Sequence, residues 1–224
     1  MSIARLTRRG LAAALAALGL GLAPGLSAES PPTVTLVAYG DSLVHGYGLA
    51  PGATLPEQLE EALRAEGWRV EVVNAGNSGD TTASGLARLD WTLSERPDAL
   101  LLALGANDGL RGLSPAETEA NLRAIIERLQ QRQVPILLAG MLAPRNLGPD
   151  YAAEFDPLYL RLAEDYGLFL TPFMLDGVAL VPELNQPDGI HPNAEGVGQV
   201  VETLLPGSRA LMRRAVEQKT ARGS

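Results

Sequence analysis

The chain has 224 residues, 46% hydrophobic and 4% aromatic, which suits one globular domain with a substantial core rather than two small ones. It has no cysteine, which excludes disulfides, thiolate nucleophiles and Cys-built zinc or iron–sulfur sites, and it leaves only His45 and His191 for imidazole chemistry. The formal net charge of −8 argues against a nucleic-acid partner, because phosphate binding depends on basic patches.

Residues 1–28 carry the three-part pattern of an export signal. Arg5, Arg8 and Arg9 precede an uncharged run from Leu11 to Ala23, and Ser27-Ala28 offers a small-residue cleavage site. The run is too short to span a bilayer comfortably, so no stable membrane span is expected once the signal is removed. Thr7-Arg8-Arg9-Gly10-Leu11 resembles a twin-arginine export motif; ordinary secretory signals also carry adjacent arginines, so both routes stay open and the expected location is periplasmic or secreted. Removal leaves 15 basic against 26 acidic residues, a net charge of −11.

Five short apolar runs follow, each with the character of a buried strand: Thr33 to Tyr39, Arg69 to Asn74, Ala99 to Leu104, Val134 to Gly140 and Leu168 to Thr171. Segments with apolar residues at three- and four-residue spacing lie between and after them: Leu55 to Glu66, Ser114 to Arg132, Tyr151 to Tyr166 and Asn193 to Leu205. Ser114-Pro115-Ala116-Glu117 supplies an N-cap, a proline at the first helical position and a capping-box glutamate. Strands alternating with helices predict a five-stranded parallel sheet in a three-layer α/β/α sandwich, because parallel strands need crossover connections. The basic end, Ser208 to Ser224, reads as a solvated helical extension or frayed tail. The expected organisation is an export signal over 1–28, one domain over 29–205 and a basic tail or helix extension over 206–224.

In such sheets ligands bind at the carboxyl ends of the strands, and the polar motifs fall there. Gly40-Asp41-Ser42 leaves the first strand, Gly76 to Gly79 the second, and Gly105-Ala106-Asn107-Asp108 the third. A serine hydroxyl becomes nucleophilic when an imidazole takes its proton, and the imidazole needs a carboxylate on its other nitrogen to fix its tautomer. Asp188 and His191 stand three apart between Pro187 and Pro192, within reach of each other. Donors for a developing oxyanion are also present: the Ser42 amide, the Gly79 amide, which no Cβ shields, and the Asn107 side chain. His45, three residues after Ser42, has no aspartate in an orienting position and reads as a rim or packing residue.

With these blocks in order, the chain resembles the SGNH (GDSL-type) hydrolases, whose Ser, Gly, Asn and His match Ser42, Gly79, Asn107 and His191, with Asp188 matching the family's aspartate. The likeness runs from about Thr33 to Leu205. Gly40-Asp41-Ser42-Leu43, Ser78-Gly79-Asp80-Thr81, Asn107-Asp108-Gly109-Leu110-Arg111-Gly112 and Asp188-Gly189-Ile190-His191-Pro192 are most similar to the exported bacterial thioesterase, lysophospholipase and arylesterase subgroup. The resemblance implies a flavodoxin-like fold and hydrolysis of small acyl esters and thioesters, with Ser42, Asp188 and His191 catalytic, Ser42, Gly79 and Asn107 as the oxyanion hole, and no metal or cofactor. It also implies that Met141 to Tyr151 lines the substrate; from the residues themselves, apolar Leu110, Leu142 and Leu147 near the expected crevice would suit an acyl chain. His45 departs from the small residue common at its position, which bears on pocket shape. Three other readings stay open: a deacetylase acting on carbohydrate or other small esters, a metal-dependent phosphoesterase using Asp41, Asp108, Asp188 and His191, and an exported binding module without turnover.

Overall fold

The computed structural model describes residues 31–223, so the expected export signal lies outside the described residues. Five strands, β1 (Val34–Gly40), β2 (Val70–Gly76), β3 (Ala99–Ala103), β4 (Ile136–Ala139) and β5 (Phe169–Thr171), form one parallel sheet in the order β2-β1-β3-β4-β5. This is the flavodoxin-like order, and helices on both faces complete the three-layer α/β/α sandwich. Leu36 of β1 aligns with Val72 of β2 on one side and Ala99 of β3 on the other. A strand covered on both faces must be apolar throughout rather than at alternate positions. Val37, Ala38 and Tyr39 of β1, Leu100 to Leu102 of β3 and Leu137 and Leu138 of β4 are accordingly fully buried.

From β1 the chain moves outward to β2, then crosses back to β3 and continues to β5. Right-handed crossovers in opposite directions put their helices on opposite faces. Helix α2 (Leu55–Ala65) packs with α8 (Ala194–Gly223), while α3 (Thr82–Thr92) packs against α5 (Pro115–Gln131), and α5 against α7 (Leu158–Tyr166). The reversal makes the carboxyl ends of β1 and β3 the switch point, where a crevice opens because neighbouring connections diverge. Two short helices sit there: α1 (Ser42–His45) after β1 and α4 (Ala106–Leu110) after β3.

Three local expectations are corrected. The single helix expected over Tyr151 to Tyr166 is two, α6 (Pro149–Phe155) and α7, because Pro157 has no amide to donate and its ring crowds the preceding turn. Ser114 Oγ accepts from the Glu117 amide at 3.4 Å, but Glu117 makes no return bond to the Ser114 amide. The last helix continues beyond Leu205 as an extension that is packed rather than solvated. It runs to Gly223 through Pro206, burying Ser208, Leu211, Met212 and Ala215 at three- and four-residue spacing. A Cβ on Gly207 would lie 2.6 Å from Leu137 Cδ1, so glycine lets the helix approach β4 just where the proline perturbs it. Basic residues tether this extension: Lys219 to Asp98, Arg209 to Glu66, and Arg222 to the Gln133 carbonyl. Among the described residues, no helix is long and apolar enough to cross a membrane.

The packed face of the extension predicts that Leu211→Ala destabilises by about 2–5 kcal/mol. Exposed Arg213→Ala should stay within about 0.5 kcal/mol. Denaturant unfolding of both variants checks this, and equal small effects would mean that the extension carries no core.

Candidate active site

Ser42 is the first residue of α1. The preceding Asp41 caps that helix, its Oδ1 accepting from the Leu43 amide at 3.0 Å. The approach to the turn admits only glycine at position 40, since a Cβ there would collide with Val44 and the Ala103 carbonyl. Ser42 Oγ lies 2.9 Å from His191 Nε2, across 149 residues of chain. The other ring nitrogen, Nδ1, is 2.7 Å from Asp188 Oδ2. Asp188 Oδ1 accepts from the Ile190 and His191 amides at 3.0 Å each, and Gly189 makes the bend between them at φ +73°. The Ile190 amide, then the His191 ring and amide, hold the Asp188 carboxyl down at about 2. An ionised Asp188 fixes the imidazole proton on Nδ1, so Nε2 is left to accept from the Ser42 hydroxyl.

The histidine loop is held from below. The Gln186 amide donates to the His191 carbonyl at 2.7 Å, and Gln186 Nε2 donates to the Tyr47 and Pro192 carbonyls at 2.7 and 3.0 Å. The Tyr47 amide donates to the Ser42 carbonyl at 3.2 Å, and its ring lies 4.8 Å from the His191 ring, tilted by 39°. Tyr47 and Gln186 thus clasp the two segments that the Ser42–His191 bond joins. Neither has a motif in the sequence to reveal it.

Asn107 occupies the first turn of α4 and donates from Nδ2 to Asp41 Oδ2 at 3.3 Å, which sets its amide beside the Ser42 turn. Gly79 has φ +87° in a turn closed by the Asp80 amide on the Asn77 carbonyl at 3.1 Å. Its α-hydrogen side is open except for Arg111, whose Nη2 donates to the Gly79 carbonyl at 2.9 Å. Thr81 caps α3, accepting from the Ser84 amide. The structure therefore joins Ser42, His191 and Asp188 directly, brings Asn107 to them through Asp41, and sets Gly79 on the neighbouring strand-end loop.

His45 is exposed, and its Nδ1 faces the Gly76 carbonyl at 3.4 Å with no carboxylate orienting it. The four residues considered as metal ligands do not converge. Asp108 Oδ1 and Oδ2 accept from Thr82 Oγ1 and the Thr82 amide at 2.6 and 2.9 Å, Asp41 serves Leu43 and Asn107, and only Asp188 meets His191. Among the described residues no group of three or more His, Asp or Glu could hold a metal ion. The segment Met141 to Tyr151 runs beside α4. Asp156 pins it by accepting from the Ala143 amide and Arg145 at 2.8 and 2.7 Å, and Tyr151 donates to the Leu113 carbonyl at 2.8 Å. Leu110, Leu142 and Leu147 are each more than a third exposed there.

The sequence profile of the GDSL-like lipase/acylhydrolase family matches residues 38–198. Over 192 residues the chain is 36% identical to the esterase TesA of Pseudomonas aeruginosa, covering 85% of this chain and 96% of that one. It is 40% identical over 162 residues to thioesterase 1/protease 1/lysophospholipase L1 of Escherichia coli K12, covering 72% and 76% of the two. The crystal structure of AlinE4, an SGNH-hydrolase family esterase, superposes with a TM-score of 0.69 at 46% identity, covering 81% of this chain and 98% of that one.

Asp41 is the site's electrostatic anomaly. Burial pushes its carboxyl up to about 6, against the Leu43 amide, the Asn107 amide and the attraction of His191. A native carboxyl that holds its proton to about 6, where an ordinary one releases it near 3.8, loses stabilising free energy as pH rises through that interval. Asp41→Asn removes this slope. Its Tm relative to the parent protein should therefore improve between about pH 4 and about pH 7.5. A Tm difference independent of pH, by calorimetry, would refute the buried-charge assignment.

Proposed function

The chain belongs to the GDSL-like lipase/acylhydrolase family, and from that premise we propose that it is an exported serine esterase acting on small acyl esters and thioesters through an acyl-enzyme on Ser42. That it hydrolyses ester bonds follows from the family; the residue roles and the export are our reading. The observation that carries it is the unbroken chain from Ser42 Oγ to His191 Nε2 at 2.9 Å and from His191 Nδ1 to Asp188 at 2.7 Å.

In this reading His191 Nε2 takes the Ser42 proton as Oγ attacks the carbonyl carbon, and the resulting imidazolium is stabilised by the ionised Asp188. The carbonyl oxygen, now anionic, accepts from the Ser42 amide, the Gly79 amide and Asn107 Nδ2. His191 returns the proton to the leaving alcohol or thiol, which departs and leaves the acyl group on Ser42. Water then loses a proton to the same nitrogen as it adds to the acyl carbon, and His191 returns that proton to Ser42 Oγ as the Oγ–acyl bond breaks, releasing the acid and restoring the Ser42 hydroxyl. A protonated His191 cannot accept from Ser42, so kcat/KM should fall on the acid side of the pH profile. Leu110, Leu142 and Leu147, each more than a third exposed, suit an acyl chain. The tripartite 1–28 segment supports export, and we assign 29–205 as the hydrolase domain with 206–224 as its basic extension, helical as far as Gly223.

Hydrolysis of p-nitrophenyl esters of increasing acyl length, with and without chelator, tests this directly. Expected are chelator-resistant turnover, its loss in Ser42→Ala, and in Asn107→Ala a fall in kcat of about 10²–10³ with little change in KM. Turnover that survives Ser42→Ala would overturn the reading.

A further inference from the structure

Arg88, on the second turn of α3, reaches back over the sheet edge to two segments at once. Its Nη2 donates to the Gly40 carbonyl at 2.9 Å and its Nε donates to Asp80 Oδ2 at 2.5 Å. Its Cζ lies 4.2 Å from the centroid of the Tyr39 ring, whose hydroxyl donates to the Gly85 carbonyl in α3 itself. Gly40 stands two residues before Ser42, and Asp80 directly follows Gly79. Asn77 closes the figure: its amide donates to the same Gly40 carbonyl at 3.0 Å, and its Nδ2 donates to Asp80 Oδ1 at 2.7 Å. Gly40, Arg88, Asp80 and Asn77 thus form one hydrogen-bonded ring joining the end of β1 to the loop after β2.

The ring is not a surface ion pair. The Arg88 and Asp80 side chains are only 21% and 7% exposed, whereas the looser pair of Arg128 with Asp90 is 44% and 71% exposed. Burying an ion pair costs desolvation that its attraction barely offsets, so stability alone is a poor reason to keep one. A guanidinium, however, holds several donors in a fixed plane and can bind acceptors on two segments at a set separation, which a lysine ammonium cannot reproduce. Gly79 has no side chain of its own to anchor it, and Arg111 holds only its carbonyl. The position of its amide therefore depends on its neighbours Asn77 and Asp80.

We propose that Arg88 is a positioning residue for acyl transfer, setting the spacing between Ser42 and the Gly79 amide by holding Gly40 and Asp80 in one hydrogen-bonded ring. This rests on the roles proposed above for Ser42 and Gly79. The test compares full-length Arg88→Lys, Asp80→Asn and the double variant, with active sites counted by complete phosphonylation, alongside Ser42→Ala. A displacement of about 1 Å at a reacting group can cost about 100-fold. The expected result for Arg88→Lys is thus a fall in kcat per labelled site of about 10- to 100-fold with KM within about threefold. The Ki of an alkyl boronic acid, which mimics the tetrahedral species, should rise in parallel. Asp80→Asn should act in the same direction and supplies the test if Arg88→Lys does not fold. The double variant should be no worse than the weaker single, because both break one ring. A brace for the fold alone would lower Tm yet leave kcat per site and boronate affinity as in the parent. That outcome, with Ser42→Ala inactive, overturns this inference alone; turnover surviving Ser42→Ala overturns the serine assignment and this inference with it.

Discussion

Three aspartates buried at the carboxyl edge of the sheet tie its strand-end loops to one another, and the site's geometry depends on that closed set of links. Asp41, after β1, accepts from Asn107, after β3. Asp108, after β3, accepts from the amide and hydroxyl of Thr82, which follows the β2 loop. Asp80, in that loop, is joined through Arg88 to Gly40 at the end of β1. Each loop is therefore held by both others. A parallel sheet aligns its strands but leaves the connections at their ends free to diverge, and loops pay conformational entropy when they are ordered. Charge-assisted hydrogen bonds in a low-dielectric edge are strong enough to offset that cost, provided every acceptor is satisfied.

Onto this frame the last functional segment is added from the far end of the chain. The Ser42–His191 bond at 2.9 Å needs the Asp188 to His191 loop to arrive in one orientation. The start of α8 provides it: the Asn193 amide donates to the Leu184 carbonyl at 2.9 Å, and Gly196 lies so close to that carbonyl that a Cβ would clash. Gln58 of α2 donates to the Ala194 carbonyl at 3.0 Å, while Gln186 and Tyr47 link the loop to the Ser42 turn. The length of α8 then acquires a purpose. A helix anchored under β1, β3, β4 and β5 along its course is a firm base from which to present a histidine. Its basic end is part of that anchor, through Lys219 and Asp98.

The sheet, its strand runs within one or two residues at most strand ends, and the residues that meet at Ser42 were legible because each rests on a local pattern. β1, β3 and β4 are continuous apolar runs, and Gly40-Asp41-Ser42 and Asp188 to His191 are contiguous motifs. What stayed hidden was set by contacts distant in sequence. The basic end beyond Leu205 reads as a solvated extension or tail, yet it is packed because Leu211 and Met212 find a surface, which only the assembled sheet supplies. Arg88 reads as one more charged helix residue; its role exists only once Asp80 and Gly40 are neighbours. In the sequence Asp41 stands out as a candidate metal ligand, and its bonds to the Leu43 amide and to Asn107 together depend on β3 lying beside β1.

The two aspartates nearest the reacting groups show how environment rather than residue type divides the work. Asp188 is partly open to solvent and ringed by donors, and hydrogen bonding drives its carboxyl down to about 2, so it stays charged beside the His191 ring. Asp41 is walled in, and burial drives its carboxyl up to about 6 despite two donors and the nearby histidine. Exchanging those environments would leave the imidazole without a dependable counter-charge and put a permanently ionised carboxylate beside the proposed oxyanion donors. A buried, hydrogen-bonded carboxylate can orient Asn107 while its charge is partly spent on the Leu43 and Asn107 amides, which limits its repulsion of negative charge forming on a substrate oxygen. The free energy lost by burying Asp41 is thus the counterpart of an Asn107 amide held in place beside Ser42, which is the preorganisation that the proposed oxyanion role requires.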